Sequence, residues 1–349
     1  MKILFYVNYT GPPESADYQH CVIALAEGLR ANDIPFDANV DYYRIGDSYL
    51  FQKKENINPN DYDYIITSYS CGIIEGKKPY PDKTSFIPPD ILQNKSPTRK
   101  YKTIMLDWSD GYYTYIKNAK YYDYYFVCNY SHVLKSHYPN VFPLCFSATN
   151  RIVEAVTTHT VPFDQRKTQM LYSHRILHPI RKYAVDYIYS MFTDFYSTFN
   201  DNFSGLPTDH PEYIHWAQSG RRHNPNFYKE LGHTKIADCL GGYAQNTNDG
   251  KTIVYQIDSF KLWESFFSGC CVIMVHLESV GIQFPYQPVN MEHYIGFTLD
   301  KIHDTQIMFD IVNGSIDVEK IARQGQKWAS TYYSPNALYS YVLKTIQDK

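Results

Sequence analysis

Residues 256–273 read QIDSFKLWESFFSGCCVI and predict a short helix followed directly by a strand. Asp258 or Ser259 suits the N-cap position, because a side-chain oxygen there accepts a hydrogen bond from the first helical turn. Gly269 ends the predicted helix, since glycine readily adopts the left-handed conformation that terminates helices. The apolar residues 270–275 after it predict a buried strand. This succession is typical of an α/β fold.

The first turn of this helix is suited to bind an anion. Its free N–H groups and the helix dipole place partial positive charge there, which favours a group such as a diphosphate. Lys261 adds a full charge in the same turn, and Glu264, three residues on, shares its face. Glu264 is then one turn from the anion, at a suitable distance to accept hydrogen bonds from both hydroxyls of a ribose. The alternative is a surface ion pair between Lys261 and Glu264 on an ordinary helix.

The rest of the chain repeats the pattern of an apolar strand followed by a helical or polar stretch. The strand-like runs are apolar on both faces and are separated by segments of crossover length, which favours buried parallel sheets. The predicted strands are 3–9, 62–68, 103–106, 124–128, 169–173, 235–240 and 270–275, and the predicted helices are 16–31, 179–192, 259–268, 318–331 and 335–346.

These elements form two units, and the chain is longer than the roughly 250–300 residues that one hydrophobic core usually serves. We therefore expect an α/β fold of two Rossmann-like domains that face each other across a cleft. The first domain is predicted over residues 1–160 and the second over 161–330. Residues 331–349 are expected to form a C-terminal helix that packs back on the first domain.

The amino-acid composition and the net charge exclude some classes of protein. Hydrophobic residues make up 44% of the 349, the net charge is −3, and no apolar stretch is long enough to cross a bilayer. Nothing in this charge suggests contact with phosphate backbones, so nucleic acid is not expected as a partner. The seven cysteines contain no Cys-x-x-Cys pair and there is no signal peptide, which together predict reduced thiols in a cytoplasmic protein.

Common nucleotide and metal motifs are missing or weak. The segment after the first strand lacks Gly-x-Gly-x-x-Gly, and residues 72–78 miss the spacing of a phosphate-binding P-loop. We therefore expect no cofactor. Asp61 and Asp63 have the Asp-x-Asp form that metal-dependent sugar transferases use, but they also lead directly into a strand, where polar residues are ordinary.

The segment Trp263–Ile273 resembles the donor-site segment of GT-B glycosyltransferases, which has a Glu, four mostly small or apolar residues, Gly and then a strand. The resemblance makes Glu264 the ribose-binding residue and Gly269 the glycine of the pattern. The larger retaining branch has a second Glu eight residues earlier, where this chain has Gln256. Residues 259–264 are closer to the exostosin-like and spore-maturation-like branches, and more weakly similar to α-1,3-fucosyltransferases.

The resemblance implies an enzyme that moves a sugar from a UDP- or GDP-linked donor to a hydroxyl of a glycan or another acceptor. The second domain would hold the donor and the first the acceptor. Arg175 and Arg181 are expected to join Lys261 and the helix N-terminus at the diphosphate, an arrangement that needs no metal. Asp258 and Ser259, at the start of the helix, are also expected to contact the donor. A catalytically inactive nucleotide-sugar or glycan-binding protein on the same fold is the alternative.

An inverting transferase also needs a base across the cleft, within reach of the acceptor hydroxyl. Asp107 and Asp110 follow a predicted strand of the first domain and are the first candidates, because loops at strand ends face the cleft in such sheets. Glu14, Asp17 and His20, after the first predicted strand, are further candidates. Trp108, Tyr112 and Tyr113 are expected to form an acceptor platform or interdomain packing.

Overall fold

The structure is a computed structural model, and it describes residues 1–7, 13–14, 16, 19–68, 98–109, 111, 116–172, 178–187, 189–192, 195–197, 218, 226–248 and 252–349. Two sheets whose strands all pair in parallel organise it. The first has the order β2-β1-β5-β6-β7-β8 and the second β10-β9-β11-β14-β15. The strands are β1 (Ile3–Tyr6), β2 (Phe36–Ala38), β3 (Tyr42–Ile45), β4 (Ser48–Phe51), β5 (Tyr64–Ser68), β6 (Lys102–Asp107), β7 (Tyr124–Cys128), β8 (Val141–Leu144), β9 (Thr168–Tyr172), β10 (Phe195–Ser197), β11 (Thr234–Asp238), β12 (Tyr243–Asn246), β13 (Thr252–Gln256), β14 (Cys271–Val275) and β15 (Ile295–Phe297).

Helices connect and cover the strands, as the parallel pairing requires. Besides the two parallel sheets, β3–β4 and β12–β13 each form a separate two-stranded antiparallel sheet. The α-helices are α1 (His20–Ala31), α2 (Asn150–Thr157), α3 (Pro179–Tyr187), α4 (Phe227–Gly232), α5 (Phe260–Phe267), α6 (Leu277–Val280), α7 (Lys301–Val312), α8 (Val318–Tyr333) and α9 (Pro335–Gln347). The predicted fold class, α/β with two Rossmann-like units, is confirmed.

The C-terminal helix α9 lies against α1. Gly28 permits this approach, because a Cβ on it would lie 2.4 Å from the carbonyl oxygen of Pro335. At the other end of α9, the Tyr124 hydroxyl donates to the carbonyl of Ile346 at 3.1 Å. The last helix is thus fixed to elements of the first sheet. None of the helices in the described ranges is long and apolar enough to span a membrane.

The segment just before α5 joins the two sheets. Asn129, directly after β7, accepts the N–H groups of Ile257 and Asp258 on its Oδ1 at 2.8 and 2.7 Å. Asp258 in turn accepts the N–H of Phe146, which follows β8, at 2.8 Å. Since these residues follow the carboxyl ends of first-sheet strands, the start of α5 lies at the junction between the two sheets.

Candidate functional site

Helix α5 forms as the sequence predicts. Of the two possible N-cap residues, Ser259 occupies the position, with extended backbone and no capping hydrogen bond from its side chain. Gly269 has a φ of +70° after the last turn. The buried Arg166 guanidinium donates to the carbonyls of Ser268 and Gly269 at 2.7 and 2.9 Å, which satisfies acceptors at the helix C-terminus.

The N-terminus of α5 faces the first sheet. The ring of Phe260 lies 4.3 Å from that of His20 and 4.9 Å from that of Phe146, centroid to centroid. Trp108 lies 6.4 Å away in the same cluster. The helix end is therefore directed at the junction between the domains, where the sequence placed the donor diphosphate.

Glu264 is fully buried, one turn along α5. The hydroxyl of Tyr228, on α4, donates to its Oε1 at 3.0 Å. Because no part of this side chain reaches the surface, the alternative of a surface ion pair with Lys261 is wrong. A buried carboxylate is stable only with hydrogen-bonding partners, and Tyr228 is one of them.

A glycine-containing loop after β11 packs between α3 and α5. Arg181, in the first turn of α3, donates from Nε to the carbonyl of Gly241 at 2.9 Å. Gly241 has a φ of +75°, and a Cβ there would lie 2.4 Å from the carbonyl oxygen of Gln256. On the other side, the Cys239 thiol contacts the Lys261 carbonyl at 3.7 Å. The structure thus brings Arg181 and Lys261 to the same loop.

Charges around this loop agree with that placement. Burial raises the pKa of the Cys239 thiol, and the ammonium of Lys261 acts in the opposite direction. Likewise burial raises the pKa of Tyr172, at the end of β9, while Arg181 opposes the shift. Both cations are therefore felt at the carboxyl ends of second-sheet strands, which is where open α/β sheets bind ligands.

Asp258, predicted to contact the donor, has both of its carboxylate oxygens engaged by groups of the protein. Its two oxygens accept from the Phe146 N–H at 2.8 Å and from the Trp263 indole N–H at 2.6 Å. It is fully buried, and this burial raises its pKa from 3.8 to about 7. These contacts indicate a side chain that ties the segment before α5 to the first domain.

The described candidates for the base differ in their surroundings. Glu14 accepts from the Tyr49 hydroxyl on its Oε1 at 3.4 Å. Asp107, at the end of β6, is buried and accepts from the Ser109 N–H and hydroxyl at 3.0 and 2.6 Å and from the Tyr125 hydroxyl at 2.6 Å. Burial raises its pKa. His20, the first residue of α1, is also buried but lies against Phe260 at the start of α5. Asp110 and Arg175, like Asp17, Tyr112 and Tyr113, lie outside the described residues.

The Asp-x-Asp sequence is far from this junction in the fold. Asp63 accepts the N–H of Lys2 at 2.7 Å, just before β1, so it lies at the amino edge of the first sheet. Asp61 ends a short 3₁₀ helix at the same edge and accepts from Asn58 at 3.2 Å. In the portion of the chain that the structure describes, no three His, Cys, Asp or Glu side chains cluster as metal ligands would.

Two residues of the junction were not found from the sequence. Asn129 binds the segment before α5, and Phe146 packs on Phe260 and donates its N–H to Asp258. The available signal for Asn129 was a polar residue immediately after a fully apolar strand, 124–128. Such positions face the cleft in a parallel sheet, but their partner cannot be read from local sequence.

Comparison with known proteins shows the fold. No protein-family model matches the chain, and no curated protein matches it in sequence. Among solved structures, an α-glucosyltransferase in complex with UDP is similar with a TM-score of 0.57 at 8% identity, over 99% of this chain and 100% of that one. HepE of Anabaena, in complex with UDP, is similar with a TM-score of 0.50 at 10% identity, over 100% of both chains. This chain has the GT-B fold.

The exclusion of nucleic acid as a partner is wrong. An α-glucosyltransferase similar to this chain, with a TM-score of 0.56, 9% identity and 99% coverage of both chains, is in complex with UDP-glucose and DNA containing an abasic site. Another, also with a TM-score of 0.56, at 8% identity and covering 99% of this chain and 100% of that one, holds UDP and a 13-mer DNA with an A:G mismatch. Net charge sums the whole surface, whereas contacts to phosphates need only a local group of cations. A net charge of −3 therefore does not exclude DNA for a chain of this fold.

Proposed function

We propose that the protein is a glycosyltransferase that moves a sugar from a nucleotide-sugar donor to a hydroxyl acceptor. The observation that carries this proposal is the position of α5. Its N-terminus meets the first domain at Phe260, Lys261 lies in its first turn, and the buried Glu264 follows one turn later. A UDP-sugar is favoured over a GDP-sugar, because similar solved structures hold UDP or UDP-glucose.

In this scheme the diphosphate lies at the start of α5. The helix N–H groups and Lys261 stabilise the charge that develops on the leaving diphosphate, and Arg181 adds to it from across the glycine loop. We also propose Arg175 as a ligand of the diphosphate. Ser259, the N-cap residue of α5, is proposed to lie beside the diphosphate. Glu264, oriented by the Tyr228 hydroxyl, accepts hydrogen bonds from the ribose. The scheme needs no metal, and we propose a metal-independent reaction.

Transfer forms a bond between the acceptor oxygen and the sugar C1 while the bond from C1 to the diphosphate breaks. The acceptor proton must pass to a base. We propose His20 first, since among the candidates in the described ranges it is the one whose ring lies against Phe260 of the donor helix. Asp107 ranks below it because Ser109 and Tyr125 already donate to both of its oxygens. Asp110 remains a candidate.

The finer assignments are also proposals. Residues 259–264 favour the exostosin-like or spore-maturation-like branch, and Gln256 disfavours the larger retaining branch. We keep residues 1–160 as the acceptor domain, 161–330 as the donor domain, and 331–349 as a helix returning to the first domain. A cytoplasmic location is supported by the six described cysteines, which are buried free thiols.

A first experiment measures thermal stabilisation by UDP and by GDP. A nucleotide that binds the native state raises the melting temperature in proportion to the logarithm of its concentration over Kd. We expect UDP to stabilise the protein more than GDP at equal concentration. Stabilisation by neither nucleotide would contradict the donor site.

A second experiment measures transfer from a panel of UDP-sugars to glycans and to duplex DNA. Glycan acceptors follow from the family resemblance, and DNA belongs in the panel because similar structures contain it. Product with one of these acceptors is the expected result. UDP-sugar binding without transfer or hydrolysis would instead favour the catalytically inactive binding protein, which Gln256 and the engaged oxygens of Asp107 support.

A further inference from the structure

A groove runs along α8, which begins in the second domain and ends at Tyr333, on a face that the donor scheme does not use. It consists of two adjoining cavities of about 440 and 520 Å³ that share Glu292 and Gln324 in their walls. Each volume falls in the range of roughly 300–1,000 Å³ that is usual for ligand sites. One wall is the exposed side of α8 between Lys320 and Thr331, and the segment 286–293 forms the other.

This groove is remote from the proposed donor site. Glu292 and His293 come just before β15, at the amino edge of the second sheet, whereas the donor scheme uses the carboxyl edge. Gln326 on α8 donates to the carbonyl of Phe267 at 2.8 Å, which is the C-terminal end of α5. The diphosphate is proposed at the other end of the same helix, about 12 Å away at 1.5 Å per residue.

The wider cavity has an aromatic platform. Tyr332 is 40% exposed, and its ring stacks on that of Tyr286 with centroids 4.6 Å apart and planes inclined by 28°. An exposed, braced aromatic ring suits the flat C–H face of a pyranose, which is apolar while the sugar's edge is polar. Gln287, Gln324 and Glu292 lie around the platform. Planar amides and carboxylates match the spacing of neighbouring sugar hydroxyls.

The charges of the groove balance. Two cations, Lys320 and Lys327, and two anions, Glu292 and Asp317, line its two cavities. His293 adds no charge at neutral pH, because burial lowers its pKa, and its Nδ1 accepts the N–H of Val289 at 2.9 Å. A polyphosphate would need an excess of cations here. A neutral ligand rich in hydroxyl groups fits this wall better.

The length of the groove favours a chain of sugars over a single one. Eleven residues separate Lys320 from Thr331 on α8, which corresponds to about 16 Å along the helix axis. That distance spans several pyranose units in an extended oligosaccharide.

We propose that the α8 groove binds a neutral oligosaccharide, at a site separate from the nucleotide-sugar site. Tyr332 supplies the stacking face, and Gln324 and Glu292 bind hydroxyl groups. The groove holds a glycan chain on the second domain whether or not that chain is the substrate of transfer. The proposal rests on the contacts of α8 and does not depend on the donor site.

The test titrates the full chain with a panel of hexasaccharides: maltohexaose, cellohexaose, mannohexaose, xylohexaose and chitohexaose. We expect at least one to bind, and Tyr332→Ala and Gln324→Ala each to weaken that binding about tenfold or more. Tyr187→Ala is the matched control, because Tyr187 is 38% exposed and lies on α3, outside the groove. Binding of the hexasaccharide should be unchanged in this variant.

Three results would overturn the proposal. The first is the absence of binding by any hexasaccharide up to about 20 mM, which corresponds to only about −2.3 kcal/mol. The second is equal binding by wild type and Tyr332→Ala. The third is a duplex DNA that binds the groove more tightly than every hexasaccharide and loses affinity in Tyr332→Ala. Thermal stabilisation by UDP, measured on the same variants, is expected to be unchanged, which separates a failure here from a failure of the donor site.

Discussion

The carboxyl edges of the two sheets differ in how their polar groups are used. At the first sheet, Asp107 is bound by Ser109 and Tyr125, and Asn129 holds the segment before α5. At the second sheet, Arg181 and Lys261 lie beside a glycine loop. The described polar groups of the first edge are thus bonded within the first domain or to the segment before α5, whereas the second edge carries two cations in addition to the buried Asp238.

This difference explains which half of the site could be proposed in detail. Diphosphate binding needs a helix end and cations, and the second edge has both. Acceptor binding depends on surface loops, which vary more than the elements they connect. Substitutions of the proposed donor-binding residues are therefore the sharpest mutational test of the site.

The largest effect is expected from His20→Ala, which removes the proposed base at the first edge. General-base catalysis contributes about 10²–10⁴-fold, so kcat for transfer or donor hydrolysis should fall by that factor while UDP affinity stays within about twofold. The matched variant is Asp107→Asn. This substitution disturbs the buried hydrogen bonds that Asp107 accepts from Ser109 and Tyr125. We therefore expect a lower melting temperature and a kcat within about threefold of wild type. The reverse pattern would make Asp107 the base.

Glu264→Ala is expected to weaken UDP binding roughly 30- to 100-fold, measured by calorimetry. The carboxylate is lost as a ribose acceptor, and hydrogen bonds to a charged group contribute about 1.5–3 kcal/mol each. Uridine should lose affinity by a similar factor, because it has the same ribose. Glu278→Ala is the control, since Glu278 is exposed on the short helix α6. Equal UDP affinities of the two variants would remove Glu264 from the donor site.

Asp258 should make folding stability fall as pH rises. Burial raises its pKa from 3.8 to about 7, so between these values the native state keeps a proton that the unfolded chain releases. Its stabilising contribution is complete below pH 4 and is lost as the pH passes through about 7. Relative to Asp258→Asn, the wild type should lose about 2 to 3 kcal/mol of unfolding free energy between pH 5 and 7.

Urea unfolding of both proteins at these two pH values measures the difference. Burial also raises the pKa of Glu27 to about 7, but Glu27 is present in both proteins. Its contribution to the pH dependence therefore cancels in the difference between wild type and Asp258→Asn. Parallel pH profiles for wild type and Asp258→Asn would show that Asp258 is not a buried tie between the domains.

The smallest effect is expected from Lys261→Met, which should weaken UDP binding about tenfold and leave uridine binding unchanged. In the proposed scheme Lys261 binds the diphosphate, which uridine lacks. Lys301→Met is the matched control, because Lys301 is also a lysine in a first helical turn, that of α7. Loss of uridine affinity in Lys261→Met would show that the lysine supports the fold of the loop instead.

Much of the fold could be predicted because strong local patterns specify it. Residues 124–128 are apolar throughout and form β7 at the predicted bounds, and the helix predicted at 259–268 is observed as Phe260–Phe267. Short elements were missed. The hairpin strands β3 and β4 have four residues each, too few for a clear alternation, and the eight-residue helix α2 was not predicted.

The relative positions of the candidate site residues could be predicted only where one segment contains them. Lys261 and Glu264 lie on one helix, so their spacing could be read directly. The partners of Asp258, Phe146 and Trp263, could not be predicted because Phe146 lies 112 positions away in the chain. Contacts of that kind depend on how the sheets meet, which local sequence does not encode.

The most direct measurement is a crystal structure of the protein with UDP. The account predicts the diphosphate at the N-terminus of α5, within hydrogen-bond distance of its first N–H groups and of Lys261, with the ribose hydroxyls on the Glu264 carboxylate. UDP bound elsewhere, or ribose hydroxyls that do not contact Glu264, would contradict it.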